Sequence, residues 1–95
     1  MIIYGLKIIE KFKNNHSDIK SNLQSWIKVV KGNDWLTPND IKGIFPSASF
    51  LKDNVVVFNI KGNKYRIVTK INFITYSIII KKIGTHAEYS KWKLG

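Results

Sequence analysis

Cysteine is absent from this 95-residue chain. Disulfides and thiolate metal centres are therefore excluded, and the fold has to rest on apolar packing. A reducing compartment such as the cytoplasm fits that composition. Long apolar runs are missing as well: the longest aliphatic stretch, Ile78-Ile79-Ile80, stops at Lys81-Lys82, far short of the ~20 residues that span a bilayer. Met1-Ile2-Ile3-Tyr4 lacks the basic segment and long apolar stretch of a signal peptide, so none is expected. The two prolines, Pro38 and Pro46, flank one short segment, and there is no repeat or Pro/Gly/Ser-rich linker. One domain over residues 1–95 is expected. With two histidines and six acids, no metal-ligand spacing appears. Neither a glycine-rich phosphate loop nor a serine-centred elbow is present. An enzyme built from this sequence is expected to work without metal or cofactor, through His, Lys, Arg and Tyr.

What is abundant is positive charge. Sixteen Lys and Arg stand against six acids, a net charge of +10, and such a field attracts polyanions, RNA and DNA first among them. Two plainer explanations stand beside that one. A codon bias toward A and T would also enrich Lys, Ile and Asn, and an acidic protein partner would also mask the charge. Every strong cation but Arg66 is a lysine. A lone guanidinium in such a chain suggests a geometric need, because its planar fork grips a phosphate with two hydrogen bonds and an ammonium does not.

The hydrophobic pattern divides the chain in two. Ile2 to Tyr4 suits a short strand that Gly5 ends. Leu6, Ile9 and Phe12 make an amphipathic helix over Leu6 to Lys13. Ser17 is placed to cap a second helix, with Asp18 in its first turn and Ile19, Leu23, Trp26, Ile27 and Val30 on one stripe up to Lys31-Gly32. Thr37-Pro38-Asn39-Asp40 starts a third helix with Ile41, Ile44 and Phe45 on its apolar side, and Pro46 ends it. Beyond it the period becomes two. Val55–Ile60, Lys64–Asn72 and Ser77–Ile83 predict an antiparallel meander, the first two joined by the turn Lys61-Gly62-Asn63, with Ser47–Leu51 as a possible further edge strand. The expected fold class is α+β, with helices on one face of a small antiparallel sheet and a short C-terminal helix.

Two segments carry candidate chemistry. Alternation along the second meander strand puts Lys64, Arg66, Val68, Lys70 and Asn72 on one face and Tyr65, Ile67, Thr69 and Ile71 on the other. Cations two residues apart lie roughly 6–7 Å from one another, a spacing comparable to that of neighbouring phosphates. A solvated strand face explains the same pattern. Thr85-His86-Ala87-Glu88 has the form of a capping box, so Thr85 and Glu88 have a structural use. His86 and Tyr89, three apart on the helix it starts, face the same way. An imidazole titrates near neutrality and suits a proton carrier, although a lone surface histidine more often has no role. His16, in a polar loop, is expected to be solvated. Trp26 is expected in the core, Trp35 either in the core or on a stacking surface, and Trp92 packing the last helix down.

Five segments together resemble a known family: Trp26-Ile27-Lys28-Val29-Val30 with Trp35; Asp40-Ile41-Lys42 leading to Phe45-Pro46-Ser47-Ala48; Val57-Phe58-Asn59-Ile60; Gly62-Asn63-Lys64-Tyr65-Arg66; and Gly84-Thr85-His86-Ala87-Glu88-Tyr89. In this order they look like the HigB-type toxins of bacterial type II toxin–antitoxin pairs. The resemblance implies a RelE-like fold with a concave basic face. It also implies an mRNA-cleaving toxin that acts in the ribosome, and a neighbouring HigA-type antitoxin with a helix-turn-helix domain. The implied reaction is attack of a 2′-hydroxyl on the adjacent phosphate. Arg66 and Lys64 would lie on that phosphate, with Lys70 on the RNA backbone. His86 would act as base or acid, Tyr89 as its partner or a stacking ring, and Asn63 and Lys42 at the rim. A basic RNA-binding module that does not cleave is the alternative reading.

Overall fold

The computed structural model describes residues 1–92 of the chain. Its elements in chain order are β1 (Ile2–Tyr4), α1 (Leu6–Asn15), a 3-10 turn (Ser17–Ile19), α2 (Lys20–Lys31) and α3 (Pro38–Ile44). There follow β2 (Ser49–Phe50), a second 3-10 turn (Lys52–Asn54), β3 (Val55–Ile60), β4 (Tyr65–Asn72), β5 (Ser77–Thr85) and α4 (His86–Tyr89).

The strands form one sheet in the order β1-β5-β4-β3-β2. β3, β4 and β5 make the expected antiparallel meander, and β2 pairs antiparallel with β3 as its edge. The first strand departs from the antiparallel expectation, because β1 runs parallel to β5, with Ile2, Ile3 and Tyr4 opposite Ser77, Ile78 and Ile79. Gly5 makes the next step possible. It sits at φ 91°, and a Cβ there would fall 2.8 Å from the Ile80 carbonyl oxygen. Only glycine allows the chain to turn that tightly over the sheet and enter α1.

Helices α1 and α2 bury one stripe each: Ile9 from α1, and Leu23, Trp26 and Val30 from α2. Ile41 is the buried residue of α3, whereas Ile44, expected on its apolar side, is 43% exposed. Against these residues lies one face of the sheet, including Val56, Phe58, Ile67, Ile78 and Ile80. Phe58 is fully buried and meets Trp26, Phe45 and Trp35 at ring centroids 5.4, 5.1 and 6.4 Å away. Trp26 and Trp35 therefore both belong to the core.

Two local departures from the sequence expectations matter for the site. Ser17 makes no side-chain cap; a 3-10 turn precedes α2 instead, and Asp18 is drawn across to the β3–β4 turn. In β5, the pairs Val68–Lys82 and Thr69–Ile80 leave Lys81 as the extra residue of a bulge. A bulge of this kind inverts the alternation beyond it. Ile83 consequently packs with the core, while Lys82 and Gly84 join the opposite face.

Candidate functional site

The face of the sheet turned away from the helices carries the candidate site. Asn59, Arg66 and Gly84 are neighbours across β3, β4 and β5; Val57, Val68 and Lys82 form the next row. Arg66 is half-buried. Its guanidinium carbon lies 4.5 Å from the centroid of the Tyr89 ring, a cation–π contact that holds the fork in place. The Arg66 Nε is buried without a hydrogen-bond partner. No carboxylate pairs with Arg66 among the described residues.

Helix α4 is what brings Tyr89 over the sheet. Thr85 Oγ1 accepts from the Glu88 backbone N–H at 3.2 Å, and Glu88 Oε1 accepts from the Thr85 N–H at 2.9 Å. This reciprocal pair is the capping box legible in the sequence. The Thr85 backbone donor, then its side chain, hold the Glu88 carboxyl below its ordinary range. The His86 N–H donates to the Lys64 carbonyl at 3.0 Å, tying the helix start to β4. The His86 side chain is exposed and makes no hydrogen bond among the described residues. Beyond α4, Trp92 lies against Gly84, where a Cβ would come within 2.9 Å of the indole. Tyr89 and Trp92 meet edge to face at 5.9 Å, and the Lys82 ammonium is 5.3 Å from the Trp92 ring centroid.

Lys64 does not share the Arg66 face. It lies in the turn before β4, and its ammonium donates to Asp18 at 3.1 Å. Lys61 reaches the same carboxylate at 3.2 Å, and the Tyr65 hydroxyl donates to it at 3.0 Å. The expected row of three cations along β4 fails for this physical reason: two turn lysines are recruited by the one acid at the start of α2. The Lys64 and Lys61 ammonium groups hold the Asp18 carboxyl well below the usual carboxylate range. The same carboxylate keeps the Lys64 ammonium protonated to higher pH, and burial, then the hydrogen bond to Asp18, pushes the Tyr65 phenol up. His16, expected to be solvated, stacks on Phe12 at 3.9 Å, with its Nδ1 3.2 Å from the Phe12 carbonyl and its ring 5.7 Å from Tyr65.

Lys70 is exposed on the open face opposite Ile79, bordering a shallow groove with Asn72, Phe73 and Ile74. Asn63 is exposed in the turn at the rim, close in sequence to Arg66. Lys42 is employed elsewhere, donating to the Ala48 carbonyl at 3.2 Å with its ammonium 5.4 Å from the Phe50 ring centroid. It fastens α3 to the β2 edge. Three residues of the open face were not placed there by the sequence. Asn59 could have been found by alternation with Val55 and Val57; its amide donates to the Ser47 carbonyl at 3.0 Å. Lys82 and Trp92 could not, because the bulge and the path of the chain after α4 place them.

The face is electropositive, with Glu88 as the acid at its border among the described residues: its Cβ side abuts Gly84 and its carboxylate accepts from the Thr85 N–H. The other acids are engaged elsewhere: Glu10 with Lys13, Asp18 with the turn lysines, Asp34 with the Met1 amino group, and Asp40 in the α3 cap. Asp53 lies in the 3-10 turn before β3. No cluster of three or more potential metal-ligating His, Cys, Asp or Glu residues occurs among the described residues, and no described helix is long and apolar enough to cross a membrane.

Comparison with known proteins adds to this geometry. A family model described as "HigB_toxin, RelE-like toxic component of a toxin-antitoxin system" matches residues 19–92, a span that contains Arg66, His86, Tyr89 and Trp92. The "mRNA interferase HigB" of Escherichia coli O6:H1 is 34% identical over 71 residues, 73% of this chain and 69% of that protein. The "mRNA interferase toxin HigB" of Escherichia coli strain K12 is 37% identical over 54 residues, 55% of this chain and 52% of that protein. The chain thus spans about two thirds of the length of the first relative and about half of the second. With most of its length inside the matching region and helices layered on one face of a small sheet, the chain belongs to the HigB family of RelE-like toxins, the toxic component of a toxin-antitoxin system.

Proposed function

We propose that this chain is an endoribonuclease that cleaves mRNA, and that the open face of the sheet is its active surface. The observation that carries the reading is Arg66: the only arginine of the chain, clamped under Tyr89 at 4.5 Å, with no ion-pair partner among the described residues. A guanidinium held rigid but left unpaired is a ready site for a phosphodiester. Both named relatives are mRNA interferases, which supports RNA as the substrate.

The reaction is transesterification within one strand. The 2′-oxygen attacks the adjacent phosphorus, the bond from phosphorus to the 5′-oxygen breaks, and a 2′,3′-cyclic phosphate and a 5′-hydroxyl result. One group takes the 2′ proton and another protonates the departing 5′-oxygen. Arg66 binds the non-bridging oxygens and neutralises the charge that grows on them, a contribution worth most in a pre-organised site. His86 and Tyr89, one turn apart at the edge of that face, divide the proton transfers. No step requires a metal or cofactor. Lys70 and Asn63 contact the RNA backbone at the rim. Lys64 and Lys42 contribute through the long-range field, because their ammonium groups are held by Asp18 and the Ala48 carbonyl.

The reading includes the ribosome as the place of cleavage, the cytoplasm as the compartment, and a HigA-type antitoxin with a helix-turn-helix domain as the neutralising partner. Mapping RNA ends after induced expression, with and without ribosomes, tests it. His86→Ala should abolish new ends and growth arrest while the protein still binds ribosomes or RNA. Binding by the unaltered protein without any new RNA ends would establish the non-cleaving module instead. The adjoining reading frame should encode the helix-turn-helix protein.

A further inference from the structure

We propose a second nucleotide subsite on the open face, formed by Lys82 and Trp92. It holds the nucleotide next to the one whose phosphate lies on Arg66, and so rests on the endoribonuclease reading above.

Trp92 differs from the other two tryptophans. Trp26 and Trp35 are 3% and 2% exposed inside the core, whereas Trp92 is partly exposed and lies against Gly84 and Tyr89 on the Arg66 face. The sheet makes room for it: Gly84 is buried beneath the indole, where even a methyl group would come within 2.9 Å of two ring carbons. An indole so seated and left partly in water is a stacking platform that every base can use, because each has a π face. The Tyr89 ring, edge-on at 5.9 Å, fixes its position relative to Arg66.

Lys82 supplies the charge. Val68 faces Lys82 and Arg66 faces Gly84, so Arg66 and Lys82 are diagonal neighbours on adjacent strands. Such neighbours lie roughly 7–8 Å apart at their Cα atoms, of the order of the step between successive phosphates of an extended strand. Lys82 is exposed and has no acidic partner among the described residues. Its ammonium rests 5.3 Å from the Trp92 ring, so a phosphate there meets the cation while the attached base meets the indole. Two phosphates thus cross the sheet from β4 to β5, rather than running along β4.

The buried setting of Trp26 and Trp35 provides the measurement. A short 2′-O-methyl RNA lacks the attacking hydroxyl and cannot be cut, and its binding to the full chain at low salt is read by tryptophan fluorescence. We expect saturable quenching that Trp92→Phe removes. Trp92→Ala should weaken binding about 5- to 150-fold, the range for losing one base stack. Lys82→Gln should lower the slope of log affinity against log salt by about one phosphate contact. Circular dichroism and Tm of each variant show that the fold is kept. An oligonucleotide that binds, by anisotropy of a label it carries, without quenching, or that binds Trp92→Ala and Lys82→Gln as tightly as the parent, overturns the subsite, as does failure to bind at low salt. Cleavage that persists in those cases leaves the endoribonuclease reading intact. Quenching by the 2′-O-methyl strand with no cleavage of ordinary RNA, on or off ribosomes, overturns the nuclease and leaves the subsite.

Discussion

Arg66 and Lys carry the same charge but different geometry, so Arg66→Lys separates the two. The ammonium keeps the long-range attraction and loses both the two-pronged grip on phosphate and the flat stacking on Tyr89. We expect kcat for RNA cleavage to fall by about 10²–10³-fold, the scale of losing one donor to a developing oxyanion, with RNA affinity reduced far less. Single-turnover cleavage beside equilibrium binding checks this. Asp18 offers a second test. Its folded-state pKa is depressed by Lys64 and Lys61, and that of Glu88 by Thr85. A depressed carboxylate contributes stability that is present above its unfolded pKa, near ~4, and is lost as pH falls through the folded value. Tm should therefore hold between about pH 7 and 5 and decline below about pH 4. Asp18→Asn should lower Tm at neutral pH and make the acid decline shallower, read by thermal melts across that range.

Helix α4 is four residues long, too short to persist by propensity. Its capping box and the His86 N–H bond to the Lys64 carbonyl therefore do most to hold it. Thr85→Ala should cost about 0.5–2 kcal/mol, a Tm drop of several degrees in a domain this small. Activity should suffer more than stability, because the same cap positions Tyr89 over Arg66 and sets His86 beside the sheet. A kcat loss at a temperature where circular dichroism shows the chain still folded is the expected pattern. Equal losses of folded fraction and activity would mean that the cap acts only on stability.

Phe58 joins the halves of the molecule, meeting aromatic residues of α2, of the segment after α2 and of the end of α3 from the middle of β3. Phe58→Ala should destabilise by about 3–5 kcal/mol, a large part of the ~5–15 kcal/mol typical of a small domain, and denaturant melts should show the midpoint fall accordingly. Much of this architecture was legible from period alone. The α2 stripe, the Thr37-Pro38 helix start and the 85–88 capping box arise from contacts within a few residues, where spacing dictates geometry, and the meander strands were marked by their period-two alternation and the turn between the first two. Ser17 and Lys64 were misread because their surroundings are set by Asp18, a long-range partner 46 residues from Lys64.

The sequence by itself determined the class of fold, the surplus of positive charge, and Arg66 on the face opposite Tyr65 and Ile67, since alternation in β4 is unbroken. Tertiary structure decided how that face is composed. Strict alternation from Ile78 and Ile80 would have sent Lys82 and Gly84 into the core. The bulge at Lys81 turns them outward, and a bulge leaves no mark in residue type that periodicity can read. Neighbours across strands, such as Arg66 with Gly84, Lys82 and the aromatic rings of Tyr89 and Trp92, come from register and chain path. Local propensity does not encode those relations, because they exist only once the strands have paired.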